Sequence, residues 1–530
     1  MARSLDAVVV GGGHNGLVAA AYLAKAGRSV VVLEARPMVG GAAVTEEVWP
    51  GYRVSTASYV VSLLLPQIVQ DLALDRHGYR VYPIDPAYFA PFPDGRGLVV
   101  WEEPEKAAEE IARFSPRDAE AYVRYEHDLY ELARFVRPLL TRIPPTARMR
   151  GMSDMRAALS LGRYLRAERE LLPRVIDLMT MSVADFLGEY FTDPAVLGAL
   201  APGGVIGSWG GPMSPGSAYV LLHHRMGAAA GGGGAWAFVR GGMGALSEAI
   251  ASAARAAGAE IRTQARVSRI ARNGSRATGV VLEDGTEVSA RMVLSAIHPR
   301  TTFLEMIGAE HLPDGLVSEL HRYRTRGASA KVHLALSELP DFRAMPGKEL
   351  GVQHPEFIIS PSLDYLERAW DDAKYGRVSE HPMLDCVIPT TKDPTLAPEG
   401  RHILSAFVQY APRDLAEGSW TEEREALADR VIQTIGEYAP NVPGAVLERH
   451  VVTPEDLEQR FGLLGGNIFQ GEMSLDQLFF LRPVRQAGAY RTPIRGLYLC
   501  GSGTHPGGGV MGAPGYNAAR IVARDLRRRR

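Results

Sequence analysis

Buried-strand and helix patterns alternate from the beginning of the chain. "LDAVVV" is an unbroken, largely β-branched run suited to a parallel strand covered on both faces. It passes into "GGGHNG", after which "LVAAAYLAKAG" carries helix-forming residues and closes on Gly27, predicting a helix stopped by glycine. "SVVVLE" then reads as a second buried strand. Far downstream, Gly496 to Leu526 repeats the order of strand ("GLYLC"), glycine-dense loop and helix ("GYNAARIVARDL"). Between them lies "WAFVRGGMGALSEAIASAARAAGAEIRTQARVSRI", a glycine turn, an alanine-rich helix, Gly258 and two strands. "GVVLEDGTEVSARMVLSAI" predicts a hairpin turning at "EDGT" and a buried strand.

Elsewhere the pattern changes. Residues 76–234 are helical in period, with "LYELARFVRPLL" and "LLPRVIDLMTMSVADFLGEYF", whereas 301–454 holds strand-like runs such as "AKVHLAL" and "HILSAFVQY". "YVVSLLL", Tyr59 to Leu65, stops at Pro66 and is far shorter than the roughly 20 residues of a spanning helix. With Ile68, Val69, Leu72 and Leu74 it is expected to form an amphipathic helix, for the core or for the lip of a lipid-facing entrance. "GAAAGGGGAW", Gly227 to Trp236, is the one low-complexity segment, a flexible cover or a surface loop.

Composition narrows the function classes. A chain of 530 residues that is 46% hydrophobic can bury a large interior and is long enough for two or three domains. A net charge of -2 gives no basic field for nucleic acid. The terminal "RRRR" reads as a solvated end, an anionic membrane surface being the alternative. Cys386 and Cys500 form no CxxC and no zinc pattern, so dithiol redox chemistry is excluded. Neither HExxH nor GxSxG occurs, which counts against metalloproteases and serine hydrolases, and no metal site is expected. The first strand leaves no room for a leader, so a cytoplasmic location with peripheral membrane contact as an option is the expectation.

The chemistry begins at Gly11, Gly13 and Gly16, spaced G-x-G-x-x-G between strand and helix. Gly11 makes the turn, Gly13 lets backbone approach a pyrophosphate, Gly16 lets helix pack on strand, and the helix N-terminus favours the phosphates. Glu34, 18 residues after Gly16 at the end of the second strand, suits the ribose hydroxyls of an adenosine. His14, Asn15, Ala35 and Arg36 are counted with this cradle. The doublet Gly40-Gly41 then resembles the loop of FAD-containing oxidoreductases of the glutathione reductase and amine oxidase type, so the expected cofactor is FAD. Only one dinucleotide fingerprint is visible, which argues against a dedicated NAD(P) domain.

On these motifs and on "GGAAVTEEVWPGYRVSTASYVVSLLLPQI", "GAWAFVRGGMGALSEAI", "GGNIFQGEMSLDQLFFLRP" and "LYLCGSGTHPGGGVMGA", the chain resembles the family of pyridine nucleotide-disulfide oxidoreductase domain-containing protein 2, within the phytoene desaturase and flavin amine oxidase superfamily. The resemblance implies an α/β fold: a Rossmann-type, glutathione reductase-like FAD domain made discontinuously of residues 1–75, 235–300 and 455–530, with an α+β substrate domain of 76–234 and 301–454. It also implies that Gly241 and Gly242 lie near the flavin, that Val267 passes the adenine, and that Gly501, Ser502 and Gly512 complete the cradle. Ser502 stands where many flavoproteins carry Asp, and its hydroxyl can still serve a ribityl oxygen or phosphate.

Because an isoalloxazine accepts hydride at N5, the protein need only bind, orient and exclude water. Lys331, in "SAKVHLAL", resembles the lysine of flavin amine oxidases that reaches N5 through a water, a solvated strand lysine being the alternative. His505 in the glycine loop suits proton exchange, or merely packing. Trp236 is expected to wall the substrate or to sit in the core. The resulting expectation is an FAD-dependent oxidoreductase with non-covalent flavin, acting as desaturase, isomerase or oxidase on a carotenoid-, isoprenoid- or lipid-like molecule. A flavin amine oxidase and a flavin-stabilised interaction protein with little turnover are the rivals. The sequence carries no signature of oligomeric state.

Overall fold

The structure, a computed structural model, describes residues 5–146, 152–227, 235–345 and 355–528. Part of the glycine-rich segment, 228–234, and the last two arginines lie outside the described residues.

The expected opening strands, Leu5–Val10 and Val30–Leu33, pair in parallel, with Ala7 opposite Val30 and Val10 opposite Leu33. On its other side the first strand pairs in parallel with the C-terminal half of Glu287–Ser295, whose residues 293–295 in turn pair with Leu497–Leu499. Glu260–Arg262 adds to the opposite edge. The N-terminal half of Glu287–Ser295 continues an antiparallel meander, Val267–Asn273 and Arg276–Leu282. Thus a single seven-stranded sheet is assembled from the two ends and the middle of the chain. Its strands are β-branched on both faces because both are covered. On one side, helix His14–Lys25 packs with Met243–Ala256 and Ala513–Arg528 through Leu17, Val18, Ile250, Ile521 and Val522. The glycine that stops the first helix, Gly27, takes φ +71°, with the Arg28 N-H returning to Leu23 O at 3.1 Å.

A second seven-stranded sheet stands beside the first, in the order Val446–Val452, Ser329–Leu336, His402–Gln409, Met383–Val387, Glu356–Ile359, Tyr88–Pro91, Gly97–Val100. Strict alternation gives it two characters. Ala330, Val332, Leu334, Leu404, Ala406, Val408 and Leu384 turn toward Leu427, Val431 and Ile435 of helix Trp420–Tyr438. The opposite face carries Lys331, Phe407 and Asp385 in one row across three strands, Phe407 being the register partner of both. Helices Pro116–Leu140, Val183–Gly188, Pro194–Leu200 and Ser217–Arg225 form a third, helical layer around Tyr122, Tyr125, Phe186 and Leu222.

One element differs from expectation. The helix predicted over "YVVSLLL" and beyond is confined to Pro66–Asp71, and Tyr59 to Leu65 runs irregularly, with Val61 bridged to Ala237 and the Leu65 N-H donating to Met511 O. Proline can open a helix but cannot continue one from behind. The apolar run instead turns Tyr59, Val60, Ser62 and Leu63 toward the cavity described next.

Candidate active site

Between the two sheets lies a cavity of about 480 Å³. Gly11, Gly13, His14, Asn15, Gly16, Glu34, Ala35, Arg36, Gly40 and Gly41 line one end, and Val267 and Ser502 join them. The termini meet here: Asn15 Nδ2 donates to Ser502 Oγ at 2.9 Å across 487 positions of sequence. Gly13 and Gly40 form a parallel bridge, so two glycine turns face each other. A Cβ built on Gly13 comes no nearer than 4.0 Å to Gly40 O and Gly41 Cα, so the glycine leaves space that belongs to the cavity. At Gly16 the opposite holds, since a Cβ would stand 2.2 Å from Gly11 O.

Glu34, 7% exposed, accepts from the Gly12 N-H at 2.7 Å and the Arg36 N-H at 2.9 Å. It therefore pins the glycine turn to the second strand, and each oxygen keeps a lone pair for a ribose hydroxyl. Arg36 pairs with Glu46 at 2.7 Å and lies 5.0 Å over the Phe461 ring, whose other cation, Arg460, also reaches Glu46, at 2.9 Å. With Arg266 these arginines bring guanidinium groups to the cradle end, whose forked N-H donors match a diphosphate. His14 Nε2, Asn15 Oδ1, His298 Nε2 and Gln470 Oε1 are buried in the lining with no hydrogen-bond partner among the described residues. Burial holds His14 at about 4 and His298 at about 3, so both are neutral. Unsatisfied buried polar atoms around a glycine cradle fit a polar, flat dinucleotide.

The other end is apolar: Leu63, Ile206, Trp236, Phe407, Ile468 and Phe469 line it around Tyr59 and Lys331. Lys331 is 2% exposed, so it is not a solvated strand lysine. Its Nζ stands 3.5 Å from the Tyr59 ring centroid and has no hydrogen-bond partner among the described residues. Burial lowers its pKa to about 7, against the raising effect of Asp385. The Tyr59 hydroxyl donates to Asp385 Oδ2. Burial lifts the Asp385 carboxyl to about 6, with that hydrogen bond and Lys331 opposing. Trp236 meets Tyr59 edge-on at 6.3 Å and walls this end.

Five expected site residues are placed elsewhere. His505 does not line the cavity: it is 4% exposed, donates from Nε2 to Leu139 O at 3.0 Å, meets Phe479 edge-on at 5.1 Å, and is held by burial at about 4. A neutral imidazole tied to a helix end is a packing group, and Ser502, Gly509 and Val510 are the loop residues that reach the cavity. Gly241 and Gly242 lie behind the wall, with the Gly241 N-H on Asp393 Oδ2 at 2.7 Å and Gly242 against Thr45 and Ser55, which receive the first N-H groups of helix Met243–Ala256. Gly501 fits under Ala296, and Gly512 fits against Ile68 and Val18. Gly242, Gly501 and Gly512 allow close packing of the elements that carry the cradle, and Gly241 supplies the positive φ of its turn.

The sequence reading does not name His298, Gln470 and Arg266, which sit in irregular chain, or Arg460 near the end of helix Pro454–Phe461, although Gln470 falls within the quoted "GGNIFQGEMSLDQLFFLRP". It also missed Arg482, which is fully buried and donates to the carbonyls of Phe469 at 2.6 Å, Glu472 at 3.2 Å and Ser502 at 3.2 Å, tying the glycine loop to the Phe469 wall. Arg482→Lys should lower stability by roughly 2–4 kcal/mol, since a point ammonium cannot span those acceptors, and should loosen flavin retention. Chemical unfolding and flavin content after gel filtration measure both.

The sequence pattern of the family described as flavin containing amine oxidoreductase matches residues 16–526. The chain belongs to this family. It is 45% identical to pyridine nucleotide-disulfide oxidoreductase domain-containing protein 2 of Rattus norvegicus over 98% of this chain and 94% of that protein. It is 30% identical to a subunit of limonene dehydrogenase of Castellaniella defragrans, over 99% and 95%. Among solved structures, cyclohexylamine oxidase from Brevibacterium oxydans superposes with a TM-score of 0.57 at 17% identity, covering 99% and 100%, and supports the fold. As a flavin amine oxidoreductase family member the protein is an FAD-dependent oxidoreductase. No helix among the described residues is long and apolar enough to cross a membrane.

Proposed function

We propose that the protein oxidises a hydrophobic, isoprenoid- or lipid-like substrate by hydride transfer to FAD, as a desaturase, isomerase or oxidase. The observation that carries this reading is the two-ended cavity: a glycine and arginine cradle at one end, and an apolar end that holds the buried Lys331, whose Nζ has no hydrogen-bond partner among the described residues. Flavin, when bound, supplies the hydride acceptor. The residues named above would hold it: Glu34 at the ribose, Arg36 and the glycine turns at the diphosphate, Asn15 and Ser502 along its length. Leu63, Trp236, Phe407 and Phe469 exclude water and orient an apolar molecule, and Lys331, neutral above about pH 7, can take a proton. The likeness to a limonene dehydrogenase tilts the substrate class toward isoprenoids. We place the protein in the cytoplasm with a peripheral membrane contact, in keeping with the exposed Met152, Met155 and Leu159 on one side of helix Met152–Ala167.

The test is anaerobic mixing of the FAD-loaded protein with isoprenoids, lipids and amines, followed by visible flavin absorbance. Bleaching by an isoprenoid or lipid is expected, and bleaching by amines alone sinks the reading. One observation favours an amine oxidase as the second reading: Tyr59 and Phe407 stack 6.0 Å apart beside Lys331, an aromatic pair suited to an amine. Hydrogen peroxide released from the amine panel decides between them.

A further inference from the structure

A row of ionisable side chains leaves the Lys331 end of the cavity and runs across one face of the second sheet. Asp385 is the register partner of Phe407 on one side and of Ile358 on the other. Glu356, two residues from Ile358, therefore shares the Asp385 face as its diagonal neighbour. Glu356 opens into a smaller cavity of about 100 Å³ whose lining includes Tyr88, Glu102, Glu126 and Arg225. That cavity shares Ile206, His224 and Trp236 with the main one, and Glu102 is its half-buried rim.

Lys331 Nζ, Asp385 Oδ1 and Glu356 Oε2 are all buried, and none has a hydrogen-bond partner among the described residues. Of the three, Glu356 opens into the smaller cavity, which with Glu102, Glu126 and Arg225 in its lining holds a few waters at about 30 Å³ each, while Asp385 sits between it and Lys331 on the same sheet face. The charges around the path are balanced for proton passage. Arg225 pairs with Glu126, and His224 is a neutral imidazole whose Nδ1-H donates to Gly203 O at 2.9 Å. Burial, then Asp385 and Glu102, keep the Glu356 carboxyl protonated. Burial lifts Glu102 to about 7, with Arg225 opposing.

We propose that Asp385, Glu356 and Glu102, with water in the smaller cavity, form the outlet by which a proton released at Lys331 reaches the surface. The need for an outlet rests on the oxidation proposed above. When a C-H bond gives up hydride with its electron pair to the flavin, a neighbouring C-H bond releases a proton as the double bond forms. The neutral Lys331 amine takes that proton and is restored on passing it to the Asp385 carboxylate, which is regenerated in turn as a proton moves on through Glu356 and one leaves Glu102 for bulk water. Asp385, Glu356 and Glu102 are thus positioning residues that act through Lys331.

Infrared spectroscopy of the FAD-loaded protein tests this without a substrate. At about pH 9, where Glu102 and Asp385 are ionised, the wild type should show a protonated-carboxyl carbonyl band that is absent from Glu356→Gln and shifts on transfer to D2O. Glu102→Gln should keep the band and slow its exchange by roughly an order of magnitude. Should Glu356→Gln fail to fold, Asp385→Asn reads the same contact by shifting the band without removing it. A missing band, or exchange in Glu102→Gln as fast as in wild type, overturns the outlet. A compound panel that leaves the flavin unbleached would instead sink the oxidation reading, so the two failures are distinct. With any compound that does bleach the flavin, Glu356→Gln should raise the solvent isotope effect on bleaching while KM and flavin content hold.

Discussion

Replacing Gly16 by alanine should yield a protein that folds poorly around its first turn and is purified nearly free of flavin. Two effects oppose each other. Gly16 lies inside helix His14–Lys25, where alanine would gain about 1 kcal/mol of helix propensity. The added Cβ, however, would stand 2.2 Å from Gly11 O and 3.1 Å from the Ala296 Cβ. The first of these is a backbone oxygen of the neighbouring turn, with no flexible end to swing aside. Relief requires the helix to lift from the strand, at a cost of roughly 1–3 kcal/mol, which outweighs the propensity gain. It also moves the helix N-terminus and Asn15 away from Ser502, opening the point at which the two ends of the chain close the cradle. A hundredfold or greater loss of FAD affinity, about 3 kcal/mol, is the expected result. Fluorescence titration of the apoprotein with FAD checks it. Gly13→Ala is the companion: its Cβ clashes with no protein atom, so stability should hold, and if the cradle holds the diphosphate as proposed, flavin should bind more weakly.

Those two glycines show why the cofactor end was legible in the sequence. The constraints there are local in chain position: a β-branched strand, a turn that tolerates no Cβ, a helix and an acid at a fixed spacing are each consequences of backbone geometry over fewer than a few dozen residues. The glycine-rich C-terminal strand, loop and helix are equally local, and Ser502 meets Asn15 as a cradle from both ends requires. Glycine counting overreached where the same residue type serves packing: Gly242 makes room for Thr45, and Gly501 for Ala296. Nothing in a glycine's own neighbourhood distinguishes a ligand from a neighbouring chain as the body that needs the space.

The apolar end was not legible for the converse reason. Its chemistry depends on sheet register and on irregular segments meeting across hundreds of residues. Lys331 and Asp385 share a face because each is opposite Phe407, a relation that no spacing within either strand encodes. Tyr59 reaches them from a run that periodicity read as helix. His505 had the composition of a catalytic group but faces Leu139, because the loop passes its Gly509 and Val510 to the cavity. Lys331 stands out in a sequence that uses arginine far more than lysine, while its burial becomes visible only with the strands on both sides of it in place.

That burial makes Lys331 a costly side chain, and Lys331→Met should stabilise the protein while cutting turnover about a hundredfold or more. The native pKa, about 7, lies below the ordinary 10.5. Between those values the unfolded chain binds the proton and the folded one does not, so the lysine's burden is full below about pH 7 and fades as pH rises toward 10.5. Methionine fills a similar volume, keeps contact with the Tyr59 and Phe407 rings, and carries no proton. The loss of the cation leaves Asp385 without its Coulombic partner, but burial already lifts that carboxyl and its neutral form needs none. The advantage of Lys331→Met over wild type should therefore be a few kcal/mol near about pH 6 and shrink by roughly 2 kcal/mol by about pH 9. Denaturant unfolding of both FAD-loaded proteins at the two pH values measures it. Flavin content should not change, because the cradle lies at the other end of the cavity, whereas turnover with any compound that bleaches the wild-type flavin should fall about a hundredfold or more. A variant that unfolds with the wild-type pH dependence would show that Lys331 is charged in the folded protein, and would remove the base from the proposed reaction.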